Sequence, residues 1–311
     1  MRHATVRQLR VFDAAARQLS FTRAAGALHL TQPAVSIQIR DLERHVGFPL
    51  FERVGRRLFL TPSGVEALRH ARAILERYQE AEEAIALLRG EGAGRLRLAV
   101  ISAGNHFVPR LLAEFLRREP RVQPELNVHN RDEVLRALRE NVSDLAIMGR
   151  PPEEAALAHA AFAAHPYGIV ARADHPLAAR RRIKWPEIAA LGLVVREHGS
   201  DSRLALEETS RERGVAPAIA MEIRSNETIR QLVVEGLGVA FLSLHTMTVE
   251  LHARTLVALD VEGFPVMRSW HLVHLRDKQL APTAERFKAF LAAEGGTILE
   301  RLLAPRGRRR A

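Results

Sequence analysis

The stretch Ser20–Gly64, SFTRAAGALHLTQPAVSIQIRDLERHVGFPLFERVGRRLFLTPSG, constrains this chain more than any other. It reads as two short helices joined by a tight turn, then a basic hairpin, then the start of a long helix. Ser20 is placed to N-cap the first helix, whose Phe21, Ala24, Ala25 and Leu28 recur at helical spacing. His29 and Leu30 form the turn. Thr31 is placed to cap the second helix, and Pro33 falls in its first turn, where a missing N–H costs no hydrogen bond. Val35, Ile39, Leu42 and Val46 mark a core-facing stripe, and Gln32, Ser36, Gln38 and Arg40 fall away from it. A helix with an apolar back and an amide, hydroxyl and guanidinium front suits the major groove of duplex DNA. A small helical bundle with one polar face would share the periodicity. It would have no use for Arg53, Arg56 and Arg57, which follow at once in the hairpin.

Charge agrees with a polyanionic partner. The formal net charge is +10, and lysine contributes only Lys184, Lys278 and Lys288. Residues 1–62 hold ten arginines against Asp13, Asp41, Glu43 and Glu52. A second basic cluster, Arg306, Arg308, Arg309 and Arg310, lies in a tail at 301–311 and reads as solvated terminus. There is no cysteine, which removes disulfides, thiolate zinc sites and cysteine nucleophiles together. The N-terminus lacks the continuous apolar run of a secretory signal, and the longest apolar run, Val239–Leu244, is too short to span a bilayer. A cytoplasmic location is expected, with no membrane contact.

After the hairpin, Thr61-Pro-Ser-Gly64 opens a helix of nearly thirty residues ending at Gly90. Leu68, Ala71, Leu75, Tyr78, Glu82 and Ile85 alternate three and four apart, and only Glu82 interrupts the seam. Ala67, Ile74, Ala81 and Leu88 run beside it. A coiled-coil-like dimer would bury such a stripe, with Leu68, Leu75, Tyr78 and Ile85 at the contact. Packing on its own domain would use the stripe as well. Gly90-Glu-Gly-Ala-Gly94 then reads as a hinge.

From Arg95 strands alternate with helices, which predicts α/β layers with mixed, mostly parallel sheets. The expected organisation is a DNA-binding domain at 1–62, a linker helix at 63–90 and an effector-binding domain at 91–300. The last divides into one lobe at 95–168 and 267–300 and another at 169–266. The chain crosses between the lobes twice, so a ligand cleft is expected at the hinge, at strand carboxyl ends and helix N-termini. Position there selects Ser102, Asn105 and His106 after the first strand, Asn130 and Arg131 after the second, and Arg150 after the third. In the other lobe it selects Arg196, Ser200, Ser202 and Arg203, and Asn226 beyond the next strand. The four arginines suit a phosphate or carboxylate, because guanidinium pairs such groups bidentately. Each arginine alone could equally bridge surface segments, and Ser102, Ser200 and Asn226 could simply cap helices. His106 and His198 could add titratable contacts. No metal site is expected: the fourteen histidines include no pair with ligand spacing, and no H-E-x-x-H is present. No G-x-S-x-G elbow or P-loop marks an enzyme, so no catalytic residue and no cofactor is assigned.

The segments LRVFDAAARQLSFTRAAGALHLTQPAVSIQIRDLE and GFPLFERVGRRLFLTPSG resemble the winged helix-turn-helix of LysR-type transcriptional regulators. The later layout resembles that family's periplasmic-binding-protein-like, two-lobed effector domain. Ile37 stands where many members carry an arginine; it can meet a thymine methyl but cannot chelate a guanine. The resemblance implies DNA contacts from Thr31, Gln32, Pro33, Ser36, Ile37, Gln38 and Arg40, with Gln32 and Ser36 on base edges and Pro33 and Ile37 on methyl groups, and Arg53, Arg56 and Arg57 on phosphates or in the minor groove. The runs FVPRLLAEF, NRDEVLRALRENVSDLAIMGRPP, ADHPLA, MEIRSNETIRQLVVEGLGVAFLSLHT and LDVEGFPVMRSWHLVH are similar to the branch that regulates Calvin-cycle (RuBisCO) operons. That resemblance implies promoter DNA, a small phosphorylated effector, a tetramer built as a dimer of dimers, and RNA polymerase as partners. The alternatives are a LysR-type regulator of another metabolic operon, or a metabolite-binding module or enzyme with a basic N-terminal domain.

Overall fold

The computed structural model describes residues 4–55, 57–88 and 94–304. Arg56, most of the glycine hinge and Arg306, Arg308, Arg309 and Arg310 of the tail lie outside the described residues. The chain forms two compact units, Met1–Gly92 and Ala93–Ala311.

In the first unit, α1 (Val6–Gln18), α2 (Phe21–Ala27) and α3 (Gln32–Val46) precede a hairpin of β1 (Phe51–Val54) and β2 (Arg57–Leu60), and α4 spans Pro62–Leu88. The caps read from sequence form: Ser20 Oγ accepts the Arg23 N–H at 3.3 Å and Thr31 Oγ1 the Ala34 N–H at 3.4 Å. Val35, Ile39 and Leu42 are buried with Phe12 and Leu50. The Phe51 ring meets Phe12 and Phe21 edge-on at 5.6 and 5.3 Å. Glu43 Oε1 accepts the Leu50 and Phe51 N–H groups at 2.8 and 3.3 Å, so α3 anchors the hairpin directly. Charge-assisted bonds of this kind are about twice as strong as neutral ones.

The expected seam on α4 is divided. Leu68 and Ala71 are buried in the core of their own unit, and Leu75 packs partly against it. Leu68 therefore has no face left for a partner. The reason is α1, which lies along α4: Arg72 Nε pairs with Asp13 at 2.8 Å, and Arg10 stacks over the Tyr78 ring at 5.8 Å. Ile74, Tyr78 and Ile85 stay exposed. With Ala81, they form a stripe at i, i+4, i+7 and i+11 that takes one line from each of the two expected ones.

The second unit contains β3 (Arg95–Ile101), α5 (Val108–Arg118), β4 (Gln123–His129), α6 (Arg131–Arg139), β5 (Leu145–Met148) and β6 (Leu157–Arg172). It continues with α7 (Trp185–Ala190), β7 (Leu193–Arg196), α8 (Asp201–Glu212), β8 (Ile219–Ile223), α9 (Asn226–Val234) and β9 (Val239–Ser243). Last come α10 (Thr248–Ala253), β10 (Leu256–Ala258), β11 (Val266–Leu275), α11 (Pro282–Phe290) and α12 (Gly296–Leu303). The strand order is β4-β3-β5-β11-β6-β9-β7-β8, with β10 beside β6. β3 pairs in parallel with β4 and β5, and β7 with β8 and β9. The long strands β6 and β11 pair antiparallel and join these two halves. Each half has its own core. Phe107, Leu111, Ile147, Trp270 and Phe287 pack in the first, and Tyr167, Trp185, Ile188 and Phe241 in the second.

Two parts of this architecture have no local signal in the sequence. The first half of β6, LAHAAFAAHP, lacks the β-branched residues that signal a strand. Pairing with β11, from Leu157↔Leu275 to Tyr167↔Val266, imposes the extended state. The last helix continues beyond Phe290 through a π turn, Leu291–Gly295, into α12. Gly295, which looks like a terminator, is there because a Cβ would lie 2.6 Å from the Phe162 ring.

Candidate functional site

On α3, Thr31, Gln32, Pro33, Ile37 and Arg40 are exposed, and Ser36 and Gln38 half-buried. Gln32 Nε2 donates to Ser36 Oγ at 2.8 Å, so the two side chains hold each other at the front of the helix. The Gln32 carbonyl oxygen and the Ser36 hydroxyl proton remain for a base edge. Arg40, Arg53 and Arg57 are exposed and have no ion-pair partner among the described residues. Arg44 is different, being paired with Asp41. Phe48 and Val54 are also exposed, at 61% and 63%, close to the hairpin in sequence. Sequence reasoning missed both, because apolar residues in a short hairpin normally point inward. The described face is thus cationic and amide-bearing, with an apolar edge that suits phosphates and thymine methyls.

In the second unit the five strand-end loops converge. Ser102, Asn130, Arg131, Arg196, Ser200 and Ser202 line one cleft together with Glu197 and Asp201. Arg196 is its keystone and is 4% exposed. Its Nη1 donates to Ser102 Oγ at 3.0 Å, across the two halves, and to Asn226 Oδ1 at 2.7 Å. Its Nε and Nη2 grip the Glu197 carboxylate at 2.8 and 2.9 Å. The free space left is about 20 Å³, room for a single water.

A wider cavity of about 560 Å³ adjoins it and shares Asp201. Gly149, Arg150, Tyr167, Glu208, Arg268 and His271 contribute to its lining. This is within the range of small-molecule sites. Arg150 pairs there with Glu208, and Arg268 lies 3.6 Å from the same carboxylate.

Four expected ligand contacts, Asn105, His106, Arg203 and Asn226, line neither cavity. Arg203 is held by Glu207 at 2.7 Å and faces a separate groove with Leu206, Ser210 and Pro217. At the third position of α8 its side chain turns away from the cleft lined by Ser200 and Asp201. Asn105 is exposed and lines neither cavity. His106 lies 3.4 Å from Glu227, and burial lowers its pKa below the usual imidazole value despite that carboxylate. Asn130 and Ser200 both line the cleft and cap their helices, at 2.9 and 3.3 Å. Asn226 does not cap α9; Ser225 does, and Asn226 is thereby free to hold Arg196. Asp201, absent from the expected set, is the residue common to both cavities. The described residues contain no cluster of three or more metal-ligating side chains.

The profile of the LysR-family bacterial regulatory helix-turn-helix protein matches residues 6–65, and that of the LysR substrate binding domain matches residues 89–296. The chain belongs to the LysR family. A RuBisCO operon transcriptional regulator of Allochromatium vinosum is 44% identical over 300 residues, which cover 96% of this chain and 99% of that one. The HTH-type transcriptional regulator CbbR of Rhodospirillum rubrum is 44% identical over 299 residues, with 96% and 99% covered. Among solved structures, the Synechocystis PCC6803 CcmR regulatory domain in complex with 2-PG has a TM-score of 0.61 and 36% identity. It covers 64% of this chain and 96% of its own. As a LysR-type regulator, the chain carries its DNA-reading motif and its effector-binding fold in separate compact units.

Proposed function

We propose that this LysR-type regulator controls a carbon-fixation operon and responds to a small anionic, phosphorylated metabolite. The observation that carries the reading is the 44% identity, end to end, with a regulator named for the RuBisCO operon. Residues 1–62 bind the promoter, with Gln32 and Ser36 on base edges, Pro33 and Ile37 on methyl groups, and Arg40, Arg53 and Arg57 on phosphates. The helix at 63–90 dimerises the chain through Ile74, Tyr78, Ala81 and Ile85, and paired effector domains at 91–300 assemble the tetramer. The protein acts in the cytoplasm; among the described residues, no helix is long and apolar enough to cross a membrane.

The effector enters the wider cavity and reaches Ser102, Asn130, Arg131 and Ser202, with Arg150 at the entrance. The 2-PG complex of the CcmR domain supports a small phosphorylated acid as the ligand class. Binding can change transcription only through differential affinity for two states of the assembly. Footprinting on the promoter beside its own gene, with and without a panel of phosphorylated acids and sugars, tests the reading. A specific footprint that one member of the panel alters is the expected result. Absence of specific binding, or indifference to every member, would refute it.

A further inference from the structure

The groups best suited to grip an anion already face carboxylates of the chain itself. Arg196 holds Glu197, its neighbour in sequence, and Arg150 holds Glu208 at the surface. Asp201 is a different case. It comes from the second half of the unit and reaches into the first. Its Oδ2 accepts the Gly149 N–H, just beyond β5, at 2.6 Å. Its Oδ1 stands 3.9 Å from Arg131 Nε at the start of α6. The Asp201 side chain is 5% exposed, and neither Oδ1 nor Arg131 Nε has a hydrogen-bond partner. A buried carboxylate facing, without a direct bond, a guanidinium that is 19% exposed is a poorly fitted pair. Gly149 shows how tight the insertion is. A Cβ there would lie 2.5 Å from Asp201 Oδ2 and 3.0 Å from His165 Nδ1, so only glycine admits the carboxylate. Asp201 also forms part of the wall between the closed cleft and the wider cavity.

We infer that Asp201 is an internal plug: its carboxylate occupies the subsite, made by the Gly149 N–H and the Arg131 guanidinium, that receives the anionic group of the effector. The effector binds by displacing it. The inference rests on the effector reading above and adds what holds that site shut without a ligand. Exchange of one anion for another keeps Arg131 compensated, whereas a neutral ligand would leave it half-buried with no counter-charge. The site therefore selects for charge.

Ionisation loosens the plug, because the carboxyl titrates higher in place than it does once displaced into water. Burial pushes the Asp201 carboxyl up to about 6, against the opposing pull of the Gly149 N–H and of Arg131. The charged and titratable groups around it are Arg131 on α6, Arg150 after β5, Arg196 on β7 with Glu197 beyond it, Glu208, Arg211 and Glu212 on α8, Tyr167 and His165 on β6, and Arg268 and His271 on β11. Burial lowers both His165 and His271 and raises Tyr167.

Calorimetry on the full-length protein tests this, with sulfate, whose charge is constant over the range, and with 2-phosphoglycolate. Wild type, Asp201→Ser and Arg131→Gln are compared at pH 5.5 and pH 8. Asp201→Ser is too short to fill the subsite, so it should bind sulfate about ten- to a hundredfold more tightly than wild type at pH 5.5, where the plug is seated. The gap should narrow at pH 8, and wild type alone should release protons on binding sulfate at pH 7. Arg131→Gln should weaken binding at both pH values. Equal or weaker sulfate binding by Asp201→Ser at pH 5.5, or unchanged binding by Arg131→Gln, overturns the plug while leaving the effector reading intact. Failure of both wild type and Asp201→Ser to bind either anion overturns both. Asp201→Ala, checked by circular dichroism, takes the place of Asp201→Ser if that variant does not fold, with the same expectation.

Discussion

Replacing Arg196 by alanine tests whether that residue is a clasp between the two halves of the effector domain. The guanidinium makes four hydrogen bonds, two to the Glu197 carboxylate, one to Ser102 and one to Asn226. At roughly 1.5–3 kcal/mol for each bond to a charged group, a simple sum would reach about 6–12 kcal/mol. The sum overstates the loss, because the Glu197 side chain is 19% exposed and can turn to water once abandoned. Removing one member of a buried ion pair costs about 3–5 kcal/mol, and the partial exposure of Glu197 sets the expectation at the lower end, about 3 kcal/mol. For a domain of this size that corresponds to a fall in melting temperature of roughly 6–12 °C. The readout is specific, since the chain has two tryptophans, Trp185 and Trp270, and both lie in the effector unit. Urea unfolding followed by tryptophan emission therefore reports that unit. Replacing Glu197 by leucine in the same chain should recover part of the loss, because no carboxylate is then left unpaired. A destabilisation below about 1 kcal/mol, or no recovery in the double variant, would refute the clasp.

Three further outcomes are expected. Gln32→Ala should weaken operator binding by about 1–3 kcal/mol with little effect on random DNA, whereas Arg57→Ala should weaken both and flatten the salt slope by about one unit; equal losses for Gln32→Ala on both DNAs would remove its role in direct readout. Ile74→Asp, on the exposed stripe of α4, should dissociate the dimer by light scattering without unfolding the monomer, and an intact dimer would refute that stripe. Asp144 is buried, but hydrogen bonding and charge from Arg97, with Lys278, outweigh the burial and lower its pKa. Its contribution is therefore present above about pH 4 and lost as pH falls through the lowered folded value. Asp144→Asn should cost about 3–5 kcal/mol at pH 7 and show a shallower acid-side decline in the same urea assay. A decline as steep as that of wild type would show that Asp144 does not carry the acid sensitivity.

Sequence alone determined whatever depends on local chemistry. Caps at Ser20 and Thr31, the apolar stripe of α3 and the run of hairpin arginines were legible because each follows from spacing along one helix or hairpin. The convergence of Ser102, Asn130, Arg131 and Arg196 was legible too, since parallel strands place their carboxyl ends on one edge. Tertiary structure decided whatever depends on which opposite charge arrives from elsewhere. Arg196 and Arg203 looked like anion ligands until Glu197, Ser102, Asn226 and Glu207 closed around them. Only the pairing of β6 with β11 makes LAHAAFAAHP a strand, and only the approach of α1 turns Leu68 inward and leaves Ile74 outside. Asp201 drew no notice in the sequence, where an aspartate beginning a helix is ordinary; the fold carries it across to Gly149 and Arg131, and long-range proximity of this kind has no periodicity to announce it.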